Sequence, residues 1–152
     1  NYMDKQQQEF ERALAEEPLP VYGDGGNVRD WIFVEDHCRG VELALTRGTP
    51  GAVYNFGGDS ELANLDVVRA ILRHTGRPES LVTLVSDRPG HDRRYAMDFA
   101  LARRELDFAP SVTFEQGLEA TLAWYREHPE WLARVNSPEH ARFQADWYGG
   151  RC

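Results

Sequence analysis

The chain has 152 residues, 41% of them hydrophobic, with four Trp, six Tyr and seven Phe: enough for one packed domain and too apolar for a disordered segment. A net charge of −8 speaks against nonspecific binding to nucleic acid or an anionic membrane, so any anionic ligand must be gripped by a local cluster. No apolar run approaches the roughly 18 residues of a membrane span, no signal peptide opens the chain, and Cys38 and Cys152 stand at no metal or redox spacing; a reduced cytoplasmic protein is expected.

Residues 4–16 read as a thin amphipathic helix with Phe10, Ala13 and Leu14 on one face. Its opening, Lys5 to Glu9, is polar all round and is expected to lie in water. Pro18-Leu19-Pro20 forces an extended course into Val21 and Tyr22, and Gly23 to Gly26 makes a turn. Asp30 to Val34 reads as a strand. A helix follows with Glu35 and Asp36 in its positive first turn and Cys38, Val41 and Leu45 on its inner face, closing at Arg47 and Gly48. Ala52 to Phe56 reads as another strand. Asn64 is expected to cap a helix that turns Leu65, Val68, Ile71 and Leu72 inward and stops at Gly76. Leu81 to Val85 has the apolar run of a buried strand. Residues 98–106 read as helix, and a last clear helix starts at Thr113, with Gln116 completing a capping box and Phe114, Leu118, Leu122 and Tyr125 as its stripe. After Trp131 no periodicity is legible. Strands alternating with helices make this an α/β chain.

The most informative segment is Asp87-Arg88-Pro89-Gly90-His91-Asp92-Arg93-Arg94-Tyr95, which gathers three arginines and a histidine on a Pro-Gly turn of an acidic protein. Planar guanidinium forks beside an imidazole suit a compact anion such as a diphosphate, and a solvated surface loop is the plainer alternative. The basic residues are lopsided, sixteen Arg and the single Lys5. A Tyr-x-x-x-Lys pair would have to use Lys5, and Tyr2 stands only three residues before it. Gly23-Asp24-Gly25-Gly26 has Val28 where a third dinucleotide-binding glycine is needed, so the Rossmann fingerprint is missing too. His37, His74, His128 and His140 show no metal spacing.

Pro18 to Gly25, Arg29-Asp30-Trp31 with Val34-Glu35-Asp36-His37, Tyr54 to Gly58, Asn64-Leu65, Asp87 to Tyr95 and Thr113 to Tyr125 together resemble the carboxy-terminal half of dTDP-glucose 4,6-dehydratases, members of the extended short-chain dehydrogenase/reductase superfamily. The resemblance runs in order through roughly residues 13–131, and its Asp-Arg-Pro-Gly-His-Asp segment is its most particular part. It implies a partial extended short-chain dehydrogenase/reductase fold: a C-terminal substrate-binding portion with a few short strands and about five helices, without the complete Rossmann domain. Residues 1–12 then stand as an atypical polar helix and 132–152 as a tail.

The same resemblance implies a dTDP-sugar ligand. Tyr22 would lie against the thymine base, Arg29 and Arg88 would pair with diphosphate oxygens, His91 would add a donor, Asn64 would contact the nucleotide, and Tyr148 would close over it. Read without the resemblance, Tyr22 is a half-buried strand aromatic, Arg29 an ion-pair partner of Asp30 or Asp24, and Asn64 a helix cap. In the family the NAD fingerprint and the catalytic residues belong to the amino-terminal half, so no catalytic, cofactor-binding or metal residue is assigned to this chain, which is expected to be inactive alone. Its polar start, where the family has an apolar helix, suggests an unusual junction: a truncation, a rearranged gene or a deliberate cut. A cofactor-domain chain or a second copy is the expected partner. Two other readings stay open: a noncatalytic interaction or regulatory protein on the same fold, and part of a related UDP- or GDP-sugar dehydratase or epimerase.

Overall fold

The computed structural model describes residues 2–87 and 89–135, with side chains from Gln7 to Arg134 apart from Arg88. The chain divides into two compact units, residues 1–118 and 119–152. In the first, helix α1 (Tyr2–Leu14) is followed by strand β1 (Leu19–Tyr22), strand β2 (Val28–Asp30) and helix α2 (Val34–Arg47). Strand β3 (Glu61–Ala63) runs directly into helix α3 (Asn64–Thr75), and a single 3-10 turn precedes strand β4 (Val82–Val85). Strand β5 (Arg94–Tyr95), helix α4 (Ala100–Leu106) and the start of helix α5 (Phe114–Glu127) complete it, and helix α6 (Pro129–Val135) lies in the second unit.

Two small sheets organise the first unit. In one, β1 runs parallel to β4, Leu19 opposite Val82 through Tyr22 opposite Val85. In the other, β2 is central, antiparallel to β3 and parallel to β5. Both parallel pairs are therefore entered or left by the same two connections, residues 23–27 and 86–93, which run side by side.

Two packing regions support these strands. Helix α1 packs on α3 and β1, burying Phe10 and Ala13 with Leu19, Val21, Val67, Val68, Ile71 and Leu72. Phe99, Ala102, Leu106 and Phe108 form a second cluster, against which Ile32, Leu43, Ala44, Tyr54 and Phe56 pack. The Phe56 and Phe108 rings meet at 4.9 Å, inclined by 67°, the edge-on approach aromatic quadrupoles favour.

Several sequence expectations are corrected here. The opening of α1 does not lie wholly in water: Gln7 and Glu9 are buried and Gln7 donates to Glu11 at 3.0 Å, whereas Leu14 is exposed. The strand expected at 30–34 ends at Asp30, whose carboxylate leaves the ladder direction to accept the backbone N–H groups of Gly58 and Ser60. Helix α2 is turned the other way from its apolar stripe. Its buried residues are Asp36 and Gly40, while Cys38, Val41 and Leu45 are exposed. The cause is specific: Asp36 accepts from the Ser111 N–H (2.8 Å), the Ser111 hydroxyl (2.7 Å), the Val112 N–H (3.0 Å) and Arg39 (2.7 Å), and the missing side chain of Gly40 lets the Phe56 ring close in.

Residues 52–56 form no strand. Strand β4 is not buried through its length, for Leu84 is exposed on a sheet only two strands wide. The expected capping box is present: Thr113 N–H donates to Gln116 Oε1 at 3.0 Å, and Gln116 N–H to Thr113 Oγ1 at 3.3 Å. In the second unit Trp124 stacks on His128 at 4.3 Å and Tyr125 on Trp131 at 5.9 Å.

Candidate functional site

The two side-by-side connections form one clasp. Gly23 N–H continues the β1–β4 ladder to Val85 O (2.9 Å), and Val28 N–H reaches Arg93 O (2.8 Å). Between these ends, Asn27 Nδ2 and an Arg29 terminal nitrogen both donate to the Asp92 carbonyl, at 3.1 and 3.0 Å. Arg93 grips Asp24 with both terminal nitrogens (2.7 and 3.1 Å), and Asp24 also accepts the Gly26 N–H at 2.8 Å. The Arg93 hydrogen bond, then the Gly26 amide, hold the Asp24 carboxyl down at about 2, and the Asp24 carboxylate raises the Arg93 guanidinium in return. Arg94 makes a second bidentate pair with Glu61 (2.8 and 2.6 Å), which lowers that carboxyl. Arg93 and Arg94 are thus committed to carboxylates, and they tie the clasp rather than offer it to an anion.

Arg29 differs. Its side chain comes from the middle strand of the second sheet and the residue is only 8% exposed. Its guanidinium donates to two backbone carbonyls, Val28 at 2.6 Å and Asp92 at 3.0 Å, and has no carboxylate within 4 Å among the described residues. The expected ion-pair alternative fails because Asp24 is taken by Arg93 and Asp30 by backbone amides. A buried cation held only by neutral dipoles is energetically incomplete, and a mobile anion would complete it.

Tyr22, at the carboxyl end of β1, is 39% exposed, and its ring meets the His91 ring edge-on at 6.1 Å and 85°. His91 keeps only 6% of its side chain exposed and joins Asp87 through Nδ1 at 2.6 Å. Asn64 is the first residue of α3 rather than its cap. Ala63 holds the cap position without a side-chain bond, because the turn itself supplies acceptors: Asn64 N–H donates to Asn27 O and Leu65 N–H to Gly25 O, each at 3.0 Å. Tyr22 and His91 are therefore brought together, Arg29 joins them through Asp92, and Asn64 through Asn27. Arg88 and Tyr148 lie outside the described residues.

Sequence reasoning passed over Asn27 and Asp87. Asn27 is 2% exposed and its Oδ1 finds no donor, although nothing in its local sequence marks it as more than a turn residue. Among the described residues no group of His, Cys, Asp and Glu is arranged to hold a metal, and no helix is long and apolar enough to cross a membrane.

The family model described as GDP-mannose 4,6 dehydratase matches residues 7–121. A dTDP-glucose 4,6-dehydratase of Xanthomonas campestris pv. campestris (strain B100) is 49% identical over 133 residues, 82% of this chain and 38% of that protein. Among solved structures, DesIV, a dTDP-glucose 4,6-dehydratase from Streptomyces venezuelae with NAD and TYD bound, superposes with a TM-score of 0.78 at 43% identity, over 82% of this chain and 38% of its own. The dTDP-glucose 4,6-dehydratase of Bacillus anthracis str. Ames in complex with NAD gives 0.77 at 44% identity, over 82% and 39%. The chain spans about 38% of the length of the first curated relative it matches.

Proposed function

The chain belongs to the GDP-mannose 4,6 dehydratase family, with the fold of the extended short-chain dehydrogenases/reductases, and on that premise we propose that it is the nucleotide-sugar-binding portion of a dTDP-glucose 4,6-dehydratase. The observation that carries this is Arg29, the buried guanidinium that has no carboxylate within 4 Å among the described residues. A diphosphate brings the missing negative charge, and the neighbouring groups suit the rest of such a ligand. Tyr22 presents an exposed aromatic face for a base, and His91 leaves Nε2 for a phosphate oxygen. Asn64 lies at the same turn, and Arg88 and Tyr148 belong to the proposed contacts by resemblance. The grip is a handle on the substrate. No described residue is assigned a proton transfer or a hydride step.

NAD fits the described residues poorly. A dinucleotide cradle needs a glycine turn that opens a helix, but the turn at Gly23–Gly26 leads into strand β2. The nearby N-terminus of α3 already has its first amides bonded to the carbonyls of Gly25 and Asn27. In this proposal the cofactor, where the activity needs it, is held by other residues.

Calorimetric titration of the chain with dTDP, UDP and GDP tests the reading. We expect dTDP to bind most tightly and Arg29→Met to lower its affinity by about a hundredfold, the loss of a charge-assisted contact in a dry site. The same substitution is expected to change the unfolding midpoint of the free chain little, because the cation it removes is uncompensated there. No dTDP binding at millimolar ligand, or binding indifferent to Arg29→Met, overturns the proposal.

A further inference from the structure

Asp87 has no place in the ligand contacts set out above, yet three observations converge on it. Its Oδ1 stands 2.6 Å from His91 Nδ1. An ionised carboxylate can only accept, so Nδ1 carries the hydrogen and Nε2 is the nitrogen left to face a ligand. The imidazole so fixed lies edge-on to the Tyr22 ring at 6.1 Å. Finally, Gly23 makes room for the carboxylate: its φ is +59°, and a Cβ there would stand 3.2 Å from Asp87 Oδ2. Asp87 thus lies against the residue that follows Tyr22 and against His91, whose ring meets Tyr22 from the other connection.

We infer that Asp87 is a positioning residue of the nucleotide subsite, which fixes the orientation and tautomer of the His91 imidazole and, through it, the ring of Tyr22. The inference rests on the nucleotide-binding reading above for its effect on affinity, but its structural half stands without a ligand. The imidazole beside this carboxylate is nine-tenths enclosed, which a carboxylate kept for surface charge alone would not require.

Two variants and two readouts test it. In the free chain, nitrogen-15 spectra of the imidazole are expected to show His91 with its proton on Nδ1. Asp87→Ala should move the proton toward Nε2 and weaken the His91–Tyr22 ring contact, while Asp87→Asn, whose amide oxygen accepts the same N–H, should restore both. Titration with dTDP is expected to show a loss of about tenfold for Asp87→Ala and most of the affinity regained in Asp87→Asn. An Asp87→Ala chain with the wild-type tautomer, or one with an altered tautomer and unchanged dTDP affinity, overturns the inference. A wild-type chain that shows the Nδ1 tautomer but binds no dTDP overturns the nucleotide reading instead, and with it the role of Asp87 in affinity. Should Asp87→Ala lose its circular dichroism, Asp87→Leu, similar in size and without an acceptor, takes its place.

Discussion

The clasp and helix α2 are held in opposite ways. In the clasp, cohesion is spread over many modest links: two ladder bonds, two side chains on one carbonyl, and two exposed bidentate ion pairs. Helix α2 concentrates its polar bonding in one buried acid, Asp36, which gathers four donors beside the packing of Leu43 and Ala44, while the opposite side of the helix turns Val34, Val41 and Leu45 outward, Leu45 being 86% exposed. Val53, in the segment after α2 that forms no strand, is 80% exposed as well. The clasp therefore pairs most of its polar groups but leaves Asn27 Oδ1 without a donor and the Arg29 cation on carbonyls alone, whereas α2 satisfies its buried acid and leaves apolar surface in water. In the proposed function the first is what a small anionic ligand completes, and the second is the kind of surface through which chains associate.

The sharpest way to break this contrast is Asp36→Ala. It takes the acceptor from the Ser111 and Val112 N–H groups, the first exposed and the second half-buried, and from the Ser111 hydroxyl and Arg39, and should cost about 2 kcal/mol, read from denaturant unfolding. No single loss in the clasp should approach that. Burial works to raise the Asp36 carboxyl, but the bonds from Ser111, Arg39 and Val112 outweigh it and keep the group below its ordinary 3.8. Its contribution is therefore complete above that value and fades as the pH falls through the lower folded one.

A smaller effect belongs to Asp24. With its carboxyl held at about 2, the Asp24–Arg93 link should persist as pH falls past 3.8 and dissolve as it nears 2. Exchange of the Gly26 amide, followed against pH, checks this. Arg93→Gln should reduce that protection without unfolding the chain, and because both partners are exposed, salt should erode the wild-type protection too. Smallest in stability is Leu45→Gln, expected to shift unfolding by no more than about 0.5 kcal/mol. It should nonetheless lower hydrophobic-dye binding and any concentration-dependent association seen by sedimentation. A strong destabilisation by Leu45→Gln would instead mean that this face of α2 is packed, and the contrast with the clasp would collapse.

Much of the local structure is legible in the sequence because short-range chemistry dictates it. Thr113 and Gln116 cap each other whatever surrounds them, and Gly76 stops α3 in the left-handed region. The Arg-rich loop is legible as a candidate site, but not the division of labour within it. Nothing local says that Arg93 and Arg94 will be spent on Asp24 and Glu61, 69 and 33 residues away, while Arg29 is left with carbonyls. The orientation of α2 escapes the sequence for a related reason. An apolar stripe is a reliable guide to the buried face only when nothing else competes to set the inward side. Here four hydrogen bonds to one carboxylate and the close approach of Phe56 to Gly40 set it instead.

The order of residues alone is enough for the α/β alternation, the turns at Gly23–Gly26 and Pro89–Gly90 and the capping box, because each rests on the conformational limits of a few adjacent residues, and for the family, because its motifs recur in order along the chain. It took the folded chain to show which arginine is buried with backbone carbonyls rather than a described carboxylate as its partners, that the Asn64 amide is bonded by another turn rather than Asn64 capping its own helix, and that Asp87 meets His91 where His91 meets Tyr22. Those outcomes depend on which acceptors the parallel pairing of β1 with β4 and of β2 with β5 brings within hydrogen-bond reach, and that pairing joins segments some sixty residues apart.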